Sequence, residues 1–267
     1  QQEKVENHEI PKVILTKLTG IHSIDKAIHA LEDTGYMHNH MRMYLASVIC
    51  NIGKCHWWNP ARWMYYHLLD GDWASNALSW QWVAGTNASR KYYVNQKNIN
   101  KFFKSKQHNT FLDYDYDVLV NQPCPSELID TTLPSFKTVL PTSSTIDIIP
   151  DQPILIYNYY NLDPNWRVQG NYNRVLLLEN EFFERYPVAP KNLEFIKLLG
   201  TNIKNLQVYV GSFESLIKNN PNHKIIFKEH PLNDHYKGTQ DSRDWMFEVE
   251  GYFSSFFAFW KKCKKQL

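Results

Sequence analysis

The residues best suited to chemistry lie in one short stretch, residues 70–86, which reads DGDWASNALSWQWVAGT. If a helix begins near Asp72, the dipole at its N-terminus favours the carboxylates. Asp72, Asn76 and Trp80 then recur four residues apart on one face. A stripe of carboxylate, amide and indole suits a flat heteroaromatic ligand whose edges form hydrogen bonds. A capped core helix with buried tryptophans would show the same pattern, so the spacing alone leaves both interpretations open.

The elements that must position these residues are predicted to be helical. Apolar residues at helical spacing and local capping signals predict four helices, over residues 21–34, 39–52, 60–69 and 72–83. In the third helix, Asn59 is the expected cap and Pro60 the expected first residue, because proline is tolerated where no backbone donor is needed. Gly85 is expected to end the fourth helix. The first part of the chain is therefore predicted to be all-helical.

The second half of the chain carries a different pattern. Strand-like and helix-like segments alternate there, as PILIYNY (153–159), RVLLLE (174–179), KNLEFIKLLGTNI (191–203), LQVYVG (206–211), FESLIKN (213–219) and KIIFKEH (224–230). This alternation is typical of a parallel α/β sheet. Residues 121–152 are rich in Pro, Ser and Thr and predict a linker. We therefore expect an α + α/β protein, with a helical region 1–120, a linker 121–152 and a smaller parallel α/β region 153–267.

Composition and cysteine usage narrow the class of protein. The 267 residues are 15% aromatic, which favours aromatic cores and stacking surfaces, and the formal net charge of +2 neither requires nor excludes nucleic acid. The four cysteines show no C-x-x-C spacing, so we expect reduced thiols in a cytoplasmic protein and no metal site. Because no long apolar run or signal-peptide pattern occurs, no membrane partner is expected.

Three ungapped segments carry a resemblance to a known family. TGYMHNHMRM (34–43), WWNPARWMYYHLLD (57–70) and the stretch 70–86 follow the pattern TG-W-MHN-R-x-RM, then Trp, then DGD-x-A-x-N-x-x-x-WQW. Upstream, LTGIHSIDKAIHALEDTGYM (18–37) is similar to TGYPxVDAAMRxLxxTGWM. Together, residues 18–102 resemble the photolyase/cryptochrome flavoproteins, in the C-terminal half of their helical FAD-binding domain. Such a long ungapped match is far more specific than a lone glycine motif.

The resemblance implies roles for nine residues. FAD would be bound by Arg42, Asp70, Asp72 and Asn76, with Asn76 facing the flavin N5 and Arg42 paired with Asp70. Asn76, Trp57 and Trp80 would be the catalytic residues, the two tryptophans as members of an electron-transfer chain. Asn39, Met43 and Trp82 would line the pocket for a pyrimidine dimer in damaged DNA. An ordinary salt bridge would explain Arg42 and Asp70 equally, and a core position would explain Trp57.

The chain also departs from the family pattern. Tyr36 and His40 replace its usual Trp and Arg. No Trp precedes Trp57, so either the electron-transfer chain is broken or Trp58, Trp63 or a tyrosine substitutes for its missing member. The family's TSxLSPYLxxG phosphate-binding segment has no counterpart here. The FAD site is thus expected to be partial, and another segment or subunit would complete it.

The α/β region carries a second resemblance, to the family's Rossmann-like N-terminal antenna domain. ILIYNYYNLDPNW, VLLLENEFFERYPVAPKNLEFIKLL and GYFSSFFAFWKK are the segments that resemble it, in an order inverted relative to the helical part. The implied function is light-dependent repair of pyrimidine dimers by electron transfer from reduced FAD, in a circularly permuted chain or a fragment. A cryptochrome-like flavin photosensor without catalysis, or a flavin-free binding module, is the alternative. No residue identifies an antenna pigment.

Overall fold

A computed structural model describes residues 5–142 and 145–267, which fall into two compact units. Unit 1 runs to Thr142 and also includes Glu179–Leu199; unit 2 comprises residues 145–178 and Gly200–Leu267. Residues 1–4 and two residues of the predicted linker, 143 and 144, lie outside the described residues.

Unit 1 is mainly helical. Its elements are β1 (Ile10–Pro11), α1 (Lys12–Thr16), α2 (His22–Thr34), α3 (Asn39–Ser47), α4 (Trp58–His67), α5 (Trp73–Ala84), α6 (Gln96–Phe103), α7 (Tyr116–Asn121), β2 (Thr131–Thr132), α8 (Asn180–Arg185) and α9 (Pro190–Gly200). A π-helical turn, Val48–Ile52, continues α3, and β1 pairs antiparallel with β2. The side chains that face inward form one apolar core, to which α2 contributes Ile24, Ile28 and Leu31 at helical spacing.

Local signals explain where most of these helices begin and end. Gly35 ends α2 with a φ of 74°, a left-handed conformation in which a Cβ would lie 2.4 Å from Leu69 Cγ. Asp72 caps α5, and Gly85 ends it with a φ of 76°. The helices predicted over 21–34, 39–52 and 72–83 are therefore confirmed within a residue or so at each end, the second as α3 and the π-helical turn.

The predicted start of the third helix is wrong. Helix α4 begins at Trp58, so Pro60 is its third residue rather than its first. Proline is still tolerated there, because the first N–H groups of a helix have no partner within the helix. Asn59 does not cap the helix, because its side-chain amide donates to the His8 carbonyl at 2.7 Å.

Unit 2 contains a five-stranded parallel sheet. Its elements are β3 (Ile154–Tyr157), β4 (Asn173–Leu178), β5 (Leu206–Val210), α10 (Phe213–Asn219), β6 (Ile225–Lys228), β7 (Thr239–Asp241) and α11 (Phe256–Cys263). The strand order is β5-β4-β3-β6-β7, and every pairing is parallel. The predicted class, helices plus a parallel α/β sheet, is confirmed at this level. Strand β7 was not predicted, because its three polar residues show no apolar alternation.

Helices α8 and α9 follow β4 in sequence, yet most of their residues belong to unit 1. The backbone N–H of Ala189 donates to the Tyr66 carbonyl at 2.9 Å, and the Asn192 amide donates to the Leu68 carbonyl at 2.7 Å. These bonds satisfy carbonyls at the end of α4, which no intrahelical donor can reach. In the described part of the chain, no helix combines the length and apolar character that crossing a membrane requires.

Candidate functional site

A cavity in unit 1 gathers most of the predicted site residues. Helices α3, α4 and α5 and the loop between α4 and α5 surround it, and its volume is about 110 Å³. Seven of the nine predicted residues line it, namely Asn39, Arg42, Met43, Asp70, Asp72, Asn76 and Trp80. Small-molecule pockets usually measure roughly 300–1,000 Å³. The cavity therefore accommodates only part of a ligand as large as FAD.

Arg42 and Asp70 form an ion pair at one side of the cavity. Arg42 Nη2 lies 2.9 Å from both carboxylate oxygens of Asp70, and Arg42 Nε donates to the Met37 carbonyl at 2.8 Å. The Asp70 side chain is 62% exposed, so water screens the pair and it contributes at most about 1 kcal/mol to stability. Arg42 Nη1 has no acceptor among the described residues and is available to a ligand.

Asn76 presents a fixed hydrogen-bond acceptor to the cavity. Its Nδ2 donates to the Ala61 carbonyl in α4 at 2.9 Å. A carbonyl oxygen can only accept, so this bond determines which way the amide points. The Oδ1 atom of Asn76 is left without a hydrogen-bond donor among the described residues of this half-buried position. A ligand atom that carries a proton would satisfy it.

Asp72 has a structural role that the stripe interpretation did not include. Its Oδ1 accepts a hydrogen bond from the Ser75 backbone N–H at 2.7 Å, so Asp72 is the N-cap residue of α5. The side chain remains exposed, so its second oxygen is accessible to a ligand. The positive end of the α5 dipole also lies here, and it favours an anionic group.

Sequence reasoning missed seven residues that line the cavity, Ala46, Met64, Leu68, Gly71, Ser75, Ser79 and Val83. Three of them could have been found from helical spacing. Ser75, Ser79 and Val83 extend the stripe of Asp72, Asn76 and Trp80 along the same face of α5. The other four come from neighbouring helices and the loop, and no local pattern identifies them.

The three predicted tryptophans lie in different environments. Trp80 is 2% exposed and lines the cavity. Trp82 does not line it: the residue is 45% exposed, and its ring lies 5.5 Å from that of Tyr92. The two differ because residues two apart on a helix point in roughly opposite directions. Trp57 also lies outside the cavity lining, partly buried against the core and 5.4 Å from the Trp58 ring.

Burial shifts the pKa of two side chains in the core of unit 1. It raises the pKa of the Tyr44 phenol to about 12, with a further contribution from Tyr92. It also raises the pKa of the Cys55 thiol to about 12, and all four cysteines are free thiols. Within residues 5–142 and 145–267, no group of three His, Cys, Asp or Glu side chains is arranged to hold a metal ion.

The polar atoms around the cavity fit one part of a flavin. They comprise the Asn76 oxygen as an acceptor, the Arg42 guanidinium as a donor and a carboxylate oxygen of Asp72. An isoalloxazine ring carries carbonyl oxygens and ring nitrogens along its edges, and these complement such a mixed set of donors and acceptors. Trp80 and Met43 supply apolar surface for its faces.

Comparison with known proteins covers these same helices. Residues 16–116 match the family model described as the FAD binding domain of DNA photolyase. A deoxyribodipyrimidine photo-lyase of Streptomyces griseus is 36% identical over 97 residues, 36% of this chain and 21% of that protein. The corresponding protein of Vibrio cholerae is 37% identical over 75 residues (28% and 16%), and that of Neurospora crassa 33% over 96 residues (36% and 15%).

The chain thus spans about a fifth or less of the length of these relatives. No solved structure matches it. The family match contains every residue that lines the cavity, including the Arg42–Asp70 pair and Asn76. These helices, residues 16–116, are therefore similar to the FAD binding domain of DNA photolyase.

Proposed function

We propose that this chain takes part in the light-dependent repair of pyrimidine dimers in DNA, by electron transfer from reduced FAD. The observation that carries the proposal is the cavity of unit 1. Side chains of α3 and α5 to which the family resemblance assigns a role line this cavity together. The Oδ1 of Asn76 has no hydrogen-bond donor among the described residues and is therefore available to a ligand. When bound, reduced FAD absorbs blue light and supplies the electron that splits the dimer.

The proposed flavin ligands are Arg42, Asp70, Asp72 and Asn76. Asn76 would accept a hydrogen bond at the flavin N5 through its Oδ1, because its Nδ2 is already bonded to Ala61. Arg42 would donate through Nη1 while Asp70 holds the rest of the guanidinium in place. Asp72 would accept a hydrogen bond from the cofactor through the oxygen that does not cap α5.

The proposed lesion pocket consists of Asn39, Met43 and Trp82. A dimer must leave the base stack to reach a buried redox group, and a damaged base costs less to extrude than an intact one. Asn39 and Met43 lie on the α3 side of the cavity, where they would contact the extruded dimer. The exposed indole of Trp82 offers a face for stacking beside the cavity.

Trp80 and Trp57 are the proposed electron-transfer residues. Trp80 lines the cavity, and Trp57 is in edge-to-face contact with Trp58, which is 42% exposed. Trp58 would therefore provide the terminal position near solvent that an earlier tryptophan supplies in the family. Its ring also lies 5.2 Å from Trp73, so the exposed end of this series contains more than one oxidisable ring.

We further propose that another segment or a partner subunit completes the FAD site. The small cavity volume and the small share of each relative's length that the chain covers support this.

Unit 2 is proposed to correspond to the family's antenna domain. Its strand order, 3-2-1-4-5 when the strands are numbered as they appear along the chain, is that of a doubly wound sheet. The small volume of the unit 1 cavity also supports a second candidate function, that of a module that binds flavin weakly or not at all.

The test begins with a visible absorption spectrum of the purified chain before and after incubation with FAD and desalting. Retained blue-region flavin bands, and light-dependent repair of ultraviolet-damaged DNA, are the expected results. Asn76→Asp should change the flavin spectrum or its reduction, whereas Asn87→Asp, at an exposed position just beyond α5, should not. The proposal would be contradicted if the chain remained colourless and also remained inactive after the segment or partner subunit that completes the FAD site was supplied.

A further inference from the structure

The charges around the cavity of unit 1 favour a neutral ligand over an anionic one. Of the described residues that line it, the charged ones are Arg42, Asp70 and Asp72, one cation against two anions. Arg42 Nη2 lies 2.9 Å from each oxygen of the Asp70 carboxylate, so the one cation of this described lining already has an anionic partner. The charge of Asp72 is left over, and it repels any phosphate brought close to the cavity.

The N-terminus of α5 does not offset this charge. Backbone N–H groups at the start of a helix commonly bind phosphate. Here the Ser75 N–H already donates to Asp72 Oδ1 at 2.7 Å. The carboxylate of the chain itself therefore lies where a phosphate would otherwise be bound.

The uncharged polar groups of the cavity are acceptors. Ser79 Oγ donates its single proton to the Ser75 carbonyl at 2.9 Å, so towards a ligand it can only accept. Asn76 Oδ1 is also an acceptor, because the Nδ2 of the same amide donates to Ala61. Together with the second oxygen of Asp72, these atoms suit hydroxyl and N–H groups. Ionised phosphate oxygens can only accept, so they gain no hydrogen bond from any of the three.

Building on the proposed function, which places a flavin ring in this cavity, we propose that the cavity binds riboflavin, a phosphate-free flavin, more tightly than FMN or FAD. Riboflavin has the isoalloxazine ring of FAD, a ring N–H and a chain of hydroxyl groups, and it is uncharged. Its ring lies beside Trp80, and its hydroxyl groups donate to Ser79 and Asp72. The diphosphate and adenine of FAD are then left to the segment or partner subunit that completes the site.

The test is equilibrium dialysis of the full chain in the dark, with the bound flavin measured by its visible absorbance. Riboflavin and FMN form the decisive pair, because they differ only in the phosphate. Riboflavin should bind roughly fivefold more tightly at about 0.01 M salt. The difference should nearly disappear at about 1 M salt, where the Debye length falls to about 3 Å.

Asp72→Asn should bring the affinity for FMN to within about twofold of that for riboflavin, because it removes the negative charge while Asn still caps α5. Asp117→Asn is the matched control, because Asp117 is exposed on α7 and lies outside the cavity lining. It loses the same charge and should leave the ratio of the two affinities unchanged.

Ser79→Ala tests the hydroxyl contact separately. It should weaken the binding of riboflavin by roughly three- to tenfold, the effect of one lost hydrogen bond. It should leave unchanged the binding of lumiflavin, which has the same ring without the hydroxyl chain. The proposal would be overturned if FMN bound as tightly as riboflavin at low salt, if Asp72→Asn and Asp117→Asn changed the ratio equally, or if Ser79→Ala weakened both flavins alike. The salt dependence of the unmodified chain decides the matter even where a variant fails to fold.

These outcomes are separable from those of the repair assay. Tighter binding of FMN or FAD than of riboflavin, in a chain that repairs DNA under light, would reject the preference for riboflavin alone. A preference for riboflavin in a chain that stays inactive after FAD and the completing segment or subunit are supplied would reject the proposed function alone.

Discussion

At the scale of single residues, side chains around the cavity combine a structural contact with an atom left for a ligand. Asn76 donates to Ala61 and keeps a free oxygen, and Arg42 binds Met37 and Asp70 while Nη1 remains available. Such side chains are held in one orientation before a ligand arrives, which lowers the entropic cost of binding. Preorganisation of this kind is what a redox cofactor requires from its protein.

His67 gives a prediction at the same scale. Burial, together with the nearby ammonium groups of Lys191 and Lys17, lowers the pKa of its imidazole from 6.5 to about 4. The unfolded chain therefore binds more protons between pH 6.5 and pH 4, so the free energy of unfolding decreases as the pH falls through that window. The decrease attributable to His67 should be roughly 2–3 kcal/mol.

Urea unfolding at pH 7 and pH 4.5 would measure this decrease. His67→Gln should reduce the difference between the two pH values, whereas His29→Gln, at an exposed position on α2, should leave it as in the unmodified chain. If His67→Gln left the pH dependence unchanged, protonation of another group would have to account for it.

At the scale of elements, α5 depends on its cap for both stability and the shape of the site. Asp72 accepts from the Ser75 N–H, and the helix that follows carries Asn76 and Trp80 into the cavity. Fraying of the first turn would move Asn76 before it moved the better-buried Trp80. The cap therefore positions the side chain on which the proposed flavin contact depends.

The prediction for this element separates the charge of Asp72 from its capping bond. Asp72→Ala should lower the free energy of unfolding by about 0.5–2 kcal/mol, because it removes the acceptor for an exposed N–H. Asp72→Asn should stay near the unmodified value, since Asn caps about as well as Asp. Urea midpoints would provide the measurement. Equal losses in the two variants would show that charge, rather than the capping bond, is what stabilises α5.

At the scale of the whole molecule, unit 1 is discontinuous in sequence. Residues 179–199 lie between β4 and β5 along the chain but pack within unit 1. Lys191 Nζ donates to the Leu31 carbonyl at 2.7 Å and also to that of Glu32. A cation at this point stabilises the C-terminal end of α2, where the helix dipole is negative.

Lys191→Met should therefore weaken unit 1 selectively. Loss of these charged hydrogen bonds should cost about 1.5–3 kcal/mol. Amide hydrogen exchange should show faster exchange in α2, with exchange in β3 of unit 2 unchanged. Lys197→Met, at an exposed position of the same helix, is the control and should alter neither. Faster exchange in β3 but not in α2 would contradict the placement of this segment in unit 1.

Local chemistry made much of the molecule predictable. The apolar spacing of α2, the cap at Asp72 and the glycines that end α2 and α5 act over a few residues, so the sequence alone determined those helices. Apolar runs likewise determined the buried strands β3, β4 and β6 and the half-buried strand β5. The predicted roles of the nine site residues and the predicted domain boundaries stay predictions.

Tertiary structure decided what local patterns do not encode. It placed Arg42 in contact with Asp70, 28 residues away in sequence. The Asn59 side chain bonds to the His8 carbonyl instead of capping α4, and residues 179–199 pack within unit 1. Tertiary structure also paired the polar strand β7 with β6 at the edge of the sheet. The physical reason is common to all four: each depends on which distant backbone or side-chain group still needs a partner after the local elements have formed, and only the packed chain supplies that partner.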